Sequence, residues 1–122
     1  MPKILVVDDD ADIRELLKIR LAAEGYDSAL AWDADTALAI AREESFDLIV
    51  LDLDLGLSGG DGYVLMGRLR ELAPIAMIPI VVLSAQPTNP NAAKSLAAGA
   101  TAFVEKPFGV ETLLVAVRDA LG

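Results

Sequence analysis

The chain contains no histidine and no cysteine. Without imidazole it has no histidine base, no histidine zinc ligand and no phosphoryl-carrying histidine of its own. Without thiols it has no disulfide framework and no thiol chemistry, which suits a cytoplasmic protein. Basic residues are scarce as well: 10 against 19 acidic ones, for a formal charge of −9. A surface that binds a phosphate backbone needs the opposite sign, so no direct nucleic-acid binding is expected. Long apolar runs are also missing. The stretch 75–83 is broken by Pro79 and the stretch 48–51 is short, against the roughly 20 residues of a membrane span, so no membrane association is expected. Met1, Pro2 and Lys3 lead straight into an apolar run without a signal-peptide pattern.

What is present is enough apolar matter for a core. Hydrophobic residues make up 54% of the 122, and the mean hydropathy is +0.47. A chain this apolar does not meet the condition for disorder. Its length is that of one domain, so residues 1–122 are expected to form a single domain with no output domain. Any chemistry must run on carboxylates, lysine, hydroxyls and backbone groups.

Short apolar runs alternate with helical patterns. Lys3–Val7 is rich in β-branched residues and ends at Asp8. Ile13, Leu16, Leu17 and Leu21 then repeat at helical spacing up to Gly25, which reads as the residue just past a helix end. Residues 26–31 read as a second strand, and Asp33 or Asp35 as the cap of an alanine-rich helix over 34–44. Residues 47–51 form a third strand, apolar nearly throughout, as suits a strand covered on both faces. A glycine-rich loop over 56–60 leads into a helix over 62–72. A fourth strand is expected at 78–83, a short helix at 91–98 stopped by Gly99, and a fifth strand at Ala102–Glu105. Leu113, Leu114, Val117 and Leu121 mark the last helix. Five such βα units imply a parallel sheet with helices on both faces. Ligands of such sheets bind beyond the carboxyl ends of the strands, where the strand order reverses.

The strand ends are where the polar residues stand. The first strand runs into Asp8, Asp9 and Asp10, the third into Asp52, the fourth into Ser84 and the fifth into Lys106 and Pro107. Each residue alone has a plainer reading as a turn former or cap, and Asp10 fits the cap of the first helix. Together, side by side on a parallel sheet, they would gather carboxylates, a hydroxyl and an ammonium group at one rim. Crowded carboxylates repel unless a cation joins them. An oxygen-only site with few protein ligands suits Mg²⁺, which is commonly completed by water and phosphate oxygens.

The stretches ILVVDDD, FDLIVLD, DGYVLMGRLR, VVLSA and AAGATAFVEKPF occur in this order, with Ser84 and Lys106 22 residues apart. On these motifs the chain resembles, over its whole length, the receiver domain of bacterial two-component response regulators. The resemblance implies a flavodoxin-like (βα)5 three-layer sandwich with a parallel sheet of order 2-1-3-4-5. It also implies a phosphorylation-activated switch rather than an enzyme in the ordinary sense. Asp52 matches the phosphoacceptor, which takes a phosphoryl group from a phosphohistidine on a sensor histidine kinase or histidine phosphotransfer protein. Asp9 and Asp52 match direct ligands of Mg²⁺ (or Mn²⁺), joined by the backbone carbonyl of Asp54, while Asp8 matches an acid that reaches the metal through water. Ser84 and Lys106 match the hydroxyl and ammonium groups that bond the phosphoryl oxygens. Phe103 matches the aromatic switch position, and the Lys106–Pro107 bond matches one that is cis in the family. The output face would comprise the segment 91–98, the fifth strand and the last helix. It would meet an unidentified protein target, and a phosphorylation-dependent dimer is compatible with the resemblance.

The chain departs from the family pattern in one place. The loop from Asp52 to Asp61 and Gly62 is two residues longer than usual, so that Asp54 stands at the usual distance from Asp61 and Gly62 and is the alternative acceptor. Asp52 is the expected acceptor because it completes FDLIVLD without a gap, and loops absorb added length cheaply. Asp54 and Gln86 occupy positions that tune phosphoryl lifetime in the family, and Gln86 suggests a lifetime that is not unusually long. The competing expectations are a receiver-like docking domain without regulated phosphorylation, and a cofactor-binding or hydrolytic enzyme on the same fold. The second lacks a glycine-rich phosphate fingerprint after the first strand.

Overall fold

The computed structural model describes residues 1–52, 62–72, 78–84, 100–105 and 109–122, at 62–64, 84 and 105 in backbone only. The strands β1 (Lys3–Val7), β2 (Asp27–Ala31), β3 (Leu48–Asp52), β4 (Ile80–Ser84) and β5 (Ala102–Glu105) form one sheet in the order β2-β1-β3-β4-β5. All four pairings are parallel. The expected flavodoxin-like order is thus the observed one. The described helices are α1 (Ala11–Ala23), α2 (Ala34–Glu43), α3 (Gly62–Arg70) and α4 (Val110–Leu121).

The two faces of the sheet carry two core layers, and the alternation of side chains along each strand decides which residue joins which. Leu5, Val7, Ile49, Leu51, Ile80 and Val82 point to the layer covered by Ala37, Leu38 and Ala41 of α2 and Leu65, Met66 and Leu69 of α3. Ile4, Val6, Leu48, Val50, Val81, Leu83 and Val104 point to the layer covered by Leu17 and Leu21 of α1 and Leu113, Leu114 and Val117 of α4. Strands covered on both faces read as continuous apolar runs, and Leu48–Leu51 of β3 are all buried; Asp52, buried at the carboxyl end, is the exception. Two ion pairs tie α1 to α4, one from Arg20 to Glu111 and one from Arg118 to Glu24. No described helix is long and apolar enough to cross a membrane.

Local chemistry sets the helix ends. The Asp10 carboxylate accepts from the N–H groups of Asp12 and Ile13 and caps α1, as expected. Gly25 takes a φ of +86°, and the N–H groups of Gly25 and Tyr26 donate to the carbonyls of Ala22 and Leu21. That pair of bonds is the Schellman closure, which needs a residue at ease in the left-handed region. Of the two candidates, Asp33 is the cap of α2, its carboxylate accepting from Thr36 N–H at 2.8 Å.

Several boundaries differ from the sequence reading by one or two residues. Tyr26 belongs to the Schellman turn, so β2 begins at Asp27. Strand β3 runs on through Asp52. Strand β4 begins at Ile80, after Pro79, which has no N–H to offer a ladder. Leu16, placed on the inner face of α1 by its spacing, is 39% exposed; Leu17 and Leu21 fill that layer instead. The expected helix at 91–98 lies outside the described residues.

Candidate functional site

The site begins with strand register. Val7 pairs with Leu51, so the next residues along, Asp8 and Asp52, stand on the same rung at the carboxyl edge of β1 and β3. Alternation puts both on the side of the α1–α4 layer, continuing Ile4–Val6 and Leu48–Val50. Each is 1% exposed, and they are the only buried charged residues among the described ones. The Oδ2 atom of each is withdrawn from solvent.

Asp9 joins them from the exposed rim. Carboxylate oxygens of Asp8, Asp9 and Asp52 all lie within 4.8 Å of one another. In an octahedral site with bonds of about 2.1 Å, opposite oxygens lie about 4.2 Å apart. The three carboxylates therefore stand close to the spacing found around one hard cation. Three acids at this distance repel, and two of them have given up bulk solvation. The donor set is all oxygen, which fits Mg²⁺ or Mn²⁺ and not a metal that prefers sulfur or imidazole.

Hydrogen bonds hold the β1–α1 connection in place. The N–H of Asp8 donates to the carbonyl of Ala31 at 3.1 Å. Its Oδ1 accepts from the N–H of Asp10 at 2.9 Å. Its carbonyl accepts from Nη1 of Arg14 at 2.8 Å. Asp8 is thus anchored at N–H, carbonyl and carboxylate. Trp32 directly follows Ala31 and is 53% exposed at the same edge.

Of the site residues read from sequence, Asp8, Asp9 and Asp52 come together. Ser84 ends β4, with its backbone opposite Glu105. Phe103 is half-buried on β5 and packs against the α2–α3 layer. Asp54, Gln86, Lys106 and Pro107 fall outside the described residues. Arg14 was missed. Its signal in the sequence is a cation near the start of a helix, where the macrodipole disfavours positive charge, so another partner should hold it there.

Comparison with known proteins follows the same line. The family model of the response regulator receiver domain matches residues 4–118. The DNA-binding response regulator MtrA of Mycobacterium tuberculosis is 39% identical over 120 residues, covering 98% of this chain and 50% of that protein. The DNA-binding dual master transcriptional regulator RpaA of Synechocystis is 38% identical over 121 residues, covering 99% of this chain and 49% of that protein. The chemotaxis response regulator CheY4 of Vibrio cholerae superimposes with a TM-score of 0.91 at 31% identity, covering 98% of both chains. The chain spans about half the length of the curated relatives it matches. Their names overturn the expectation of no direct nucleic-acid binding. A charge of −9 describes these 122 residues alone, and in relatives twice as long it excludes nothing for the whole protein.

Proposed function

The chain belongs to the response regulator receiver domain family, and from that premise we propose that it is a phosphorylation-controlled switch whose acceptor is Asp52. In this reading residues 1–122 act as one receiver unit. A carboxylate oxygen of Asp52 attacks the phosphorus of a phosphohistidine on a sensor kinase or histidine phosphotransfer protein. The new bond is O–P, the broken bond is P–N, and the imidazole departs with its electron pair. Asp9, Asp52 and the backbone carbonyl of Asp54 would hold Mg²⁺ or Mn²⁺, with Asp8 bonding to it through water. When bound, the cation neutralises charge on the transferring group, which together with positioning is most of what phosphoryl transfer requires.

The chain's own residues do the rest. Burial of Asp52 keeps bulk water from its carboxylate and presents it at the rim beside Asp8 and Asp9. Ser84 donates its hydroxyl to the phosphoryl oxygens, and Lys106 pairs with them. Closure of Ser84 onto the modified residue vacates space for Phe103 to turn inward, which shifts the population of the surface around β5 and α4. Phe103, Val104, Val115 and Ala116 line a groove on that surface, and its remodelling is what a partner protein reads. Aspartyl-phosphate formation and its hydrolysis are the only chemistry the domain performs.

The observation that supports this most is the gathering of three carboxylates within 4.8 Å, two of them buried, at the carboxyl edge of the sheet. Incubation with acetyl phosphate and Mg²⁺, followed by intact mass measurement, tests it. One added phosphoryl group is expected on the wild type and none on Asp52→Asn. An unmodified wild type, or an equally modified Asp52→Asn, refutes the assignment.

A further inference from the structure

Asp9 is the least constrained of the three clustered acids, because its side chain stands at the exposed rim while Asp8 and Asp52 are packed in place. Something must fix the direction in which it leaves the strand. The peptide joining Asp8 to Asp9 is held through its carbonyl, which accepts from Nη1 of Arg14 at 2.8 Å. The same residue's backbone N–H donates to the carbonyl of Asp10 at 3.0 Å. The backbone bond is the first of helix α1 and any residue at this position would make it; what Arg14 itself adds is the guanidinium, which ties the Asp8 carbonyl back to the helix. Arg14 is half-buried, and its bond to the Asp8 carbonyl is partly shielded from solvent.

We propose that Arg14 is a positioning residue that sets divalent-cation affinity by orienting the Asp8–Asp9 peptide. The inference rests on the reading of Asp8, Asp9 and Asp52 as a metal site and adds a residue to it. Groups that orient metal ligands without touching the metal are worth about 10- to 100-fold in affinity. Simple electrostatics predicts the opposite sign. A guanidinium next to an acidic cluster repels an incoming cation, so deleting it should tighten binding by about a few-fold. The direction of the change therefore separates orientation from charge.

The experiment is a Mn²⁺ titration of the whole chain, read from the electron paramagnetic resonance signal of the free ion, with a thermal melt of each metal-free variant. Wild type is expected to bind and Asp52→Asn to bind far more weakly. If wild type binds no Mn²⁺, the metal-site reading fails and the role of Arg14 falls with it. Given wild-type binding, Arg14→Met should weaken it by about 10-fold, at the low end of that range. Arg14→Lys should lie in between, because an ammonium can donate to one carbonyl but lacks the rigid planar fork. Arg20→Met removes the same charge from the same helix, at a side chain paired with Glu111, and should leave affinity unchanged or slightly tighter. Binding by Arg14→Met as tight as wild type or tighter overturns the proposal, even if its melting point drops, since that result marks a purely structural role. Equal weakening by Arg20→Met overturns it too. Should Arg14→Met fail to fold, Arg14→Lys decides: about 2- to 3-fold weaker binding supports the proposal, and unchanged or tighter binding rejects it.

Discussion

Two connections at the same edge of the sheet are built from the same parts. Strand β1 passes through Asp8 and Asp9 to an aspartate cap, Asp10, and on into α1. Strand β2 passes through Trp32 to an aspartate cap, Asp33, and on into α2. In both, a carboxylate accepts from N–H groups of the first helical turn. Among the described residues, only the first belongs to a cluster of acids. The difference lies in the neighbouring strands. β2 is at the edge of the sheet, whereas β1 lies between β2 and β3, and β3 delivers Asp52 to the rung of Asp8. The order of strands reverses between β1 and β3, where open parallel sheets place their ligands. Cap chemistry is local, and site chemistry is topological.

The sharpest way to break that comparison is to neutralise one aspartate from each connection's surroundings. Asp52→Asn is expected to abolish phosphoryl uptake from acetyl phosphate. Asp33→Asn, which retains a good cap, should take up the group as wild type does. Intact mass measurement of both variants after equal incubation reads the outcome. A loss of uptake in Asp33→Asn would mean that the two connections are not functionally distinct.

Stability offers a second contrast, in which the sign differs. Without divalent cation, the carboxylate of Asp9 is held near two buried acids, so Asp9→Asn relieves repulsion and should raise the unfolding midpoint. Asp33→Ala removes a cap and should lower the midpoint by roughly a few degrees. Saturating Mg²⁺ should stabilise wild type and Asp33→Ala alike, and Asp9→Asn much less, because binding to the folded state alone adds stability by mass action. Thermal melts with and without Mg²⁺ check all three. A midpoint for metal-free Asp9→Asn below that of wild type would contradict the crowding argument.

Much of this architecture was legible in the sequence because it rests on short-range signals. The apolar runs of β1 and β3, the cap at Asp10 and the glycine at Gly25 each declare a local structure with one main physical reading. The fold order, and with it the meeting of Asp8, Asp9 and Asp52, came from the motif series rather than from any local pattern. What the sequence did not disclose depends on three-dimensional neighbours. Asp33 and Asp35 were equivalent as caps until the Thr36 N–H selected the first. Leu16 stands three residues from Ile13, yet it is exposed because it lies about 100° around the helix from Leu17, off the stripe formed by Ile13, Leu17 and Leu21. Arg14 carries no motif of its own, since its partner is a backbone carbonyl six residues earlier. The charge argument against nucleic acid failed for another reason: a net charge is a property of the span counted.

The smallest expected effect concerns the plain cap. Asp33 has its carboxyl held below the ordinary value of 3.8, first by the backbone N–H of Thr36 and then by the Thr36 hydroxyl. A depressed folded value means that the carboxylate is bound more firmly in the native chain than in the unfolded one. Its contribution is therefore fully present above pH 3.8 and is lost as pH falls through the lower folded value. Denaturant melts of wild type and Asp33→Ala, taken at steps from neutral pH downward, should show a constant gap down to about that ordinary value and a closing gap below it. Asp33→Asn has no proton to gain, so it should keep its advantage over Asp33→Ala throughout. A wild-type gap that closes already near neutral pH, or an Asp33→Asn gap that closes in acid, would place the titration elsewhere and remove the distinction between this connection and its neighbour.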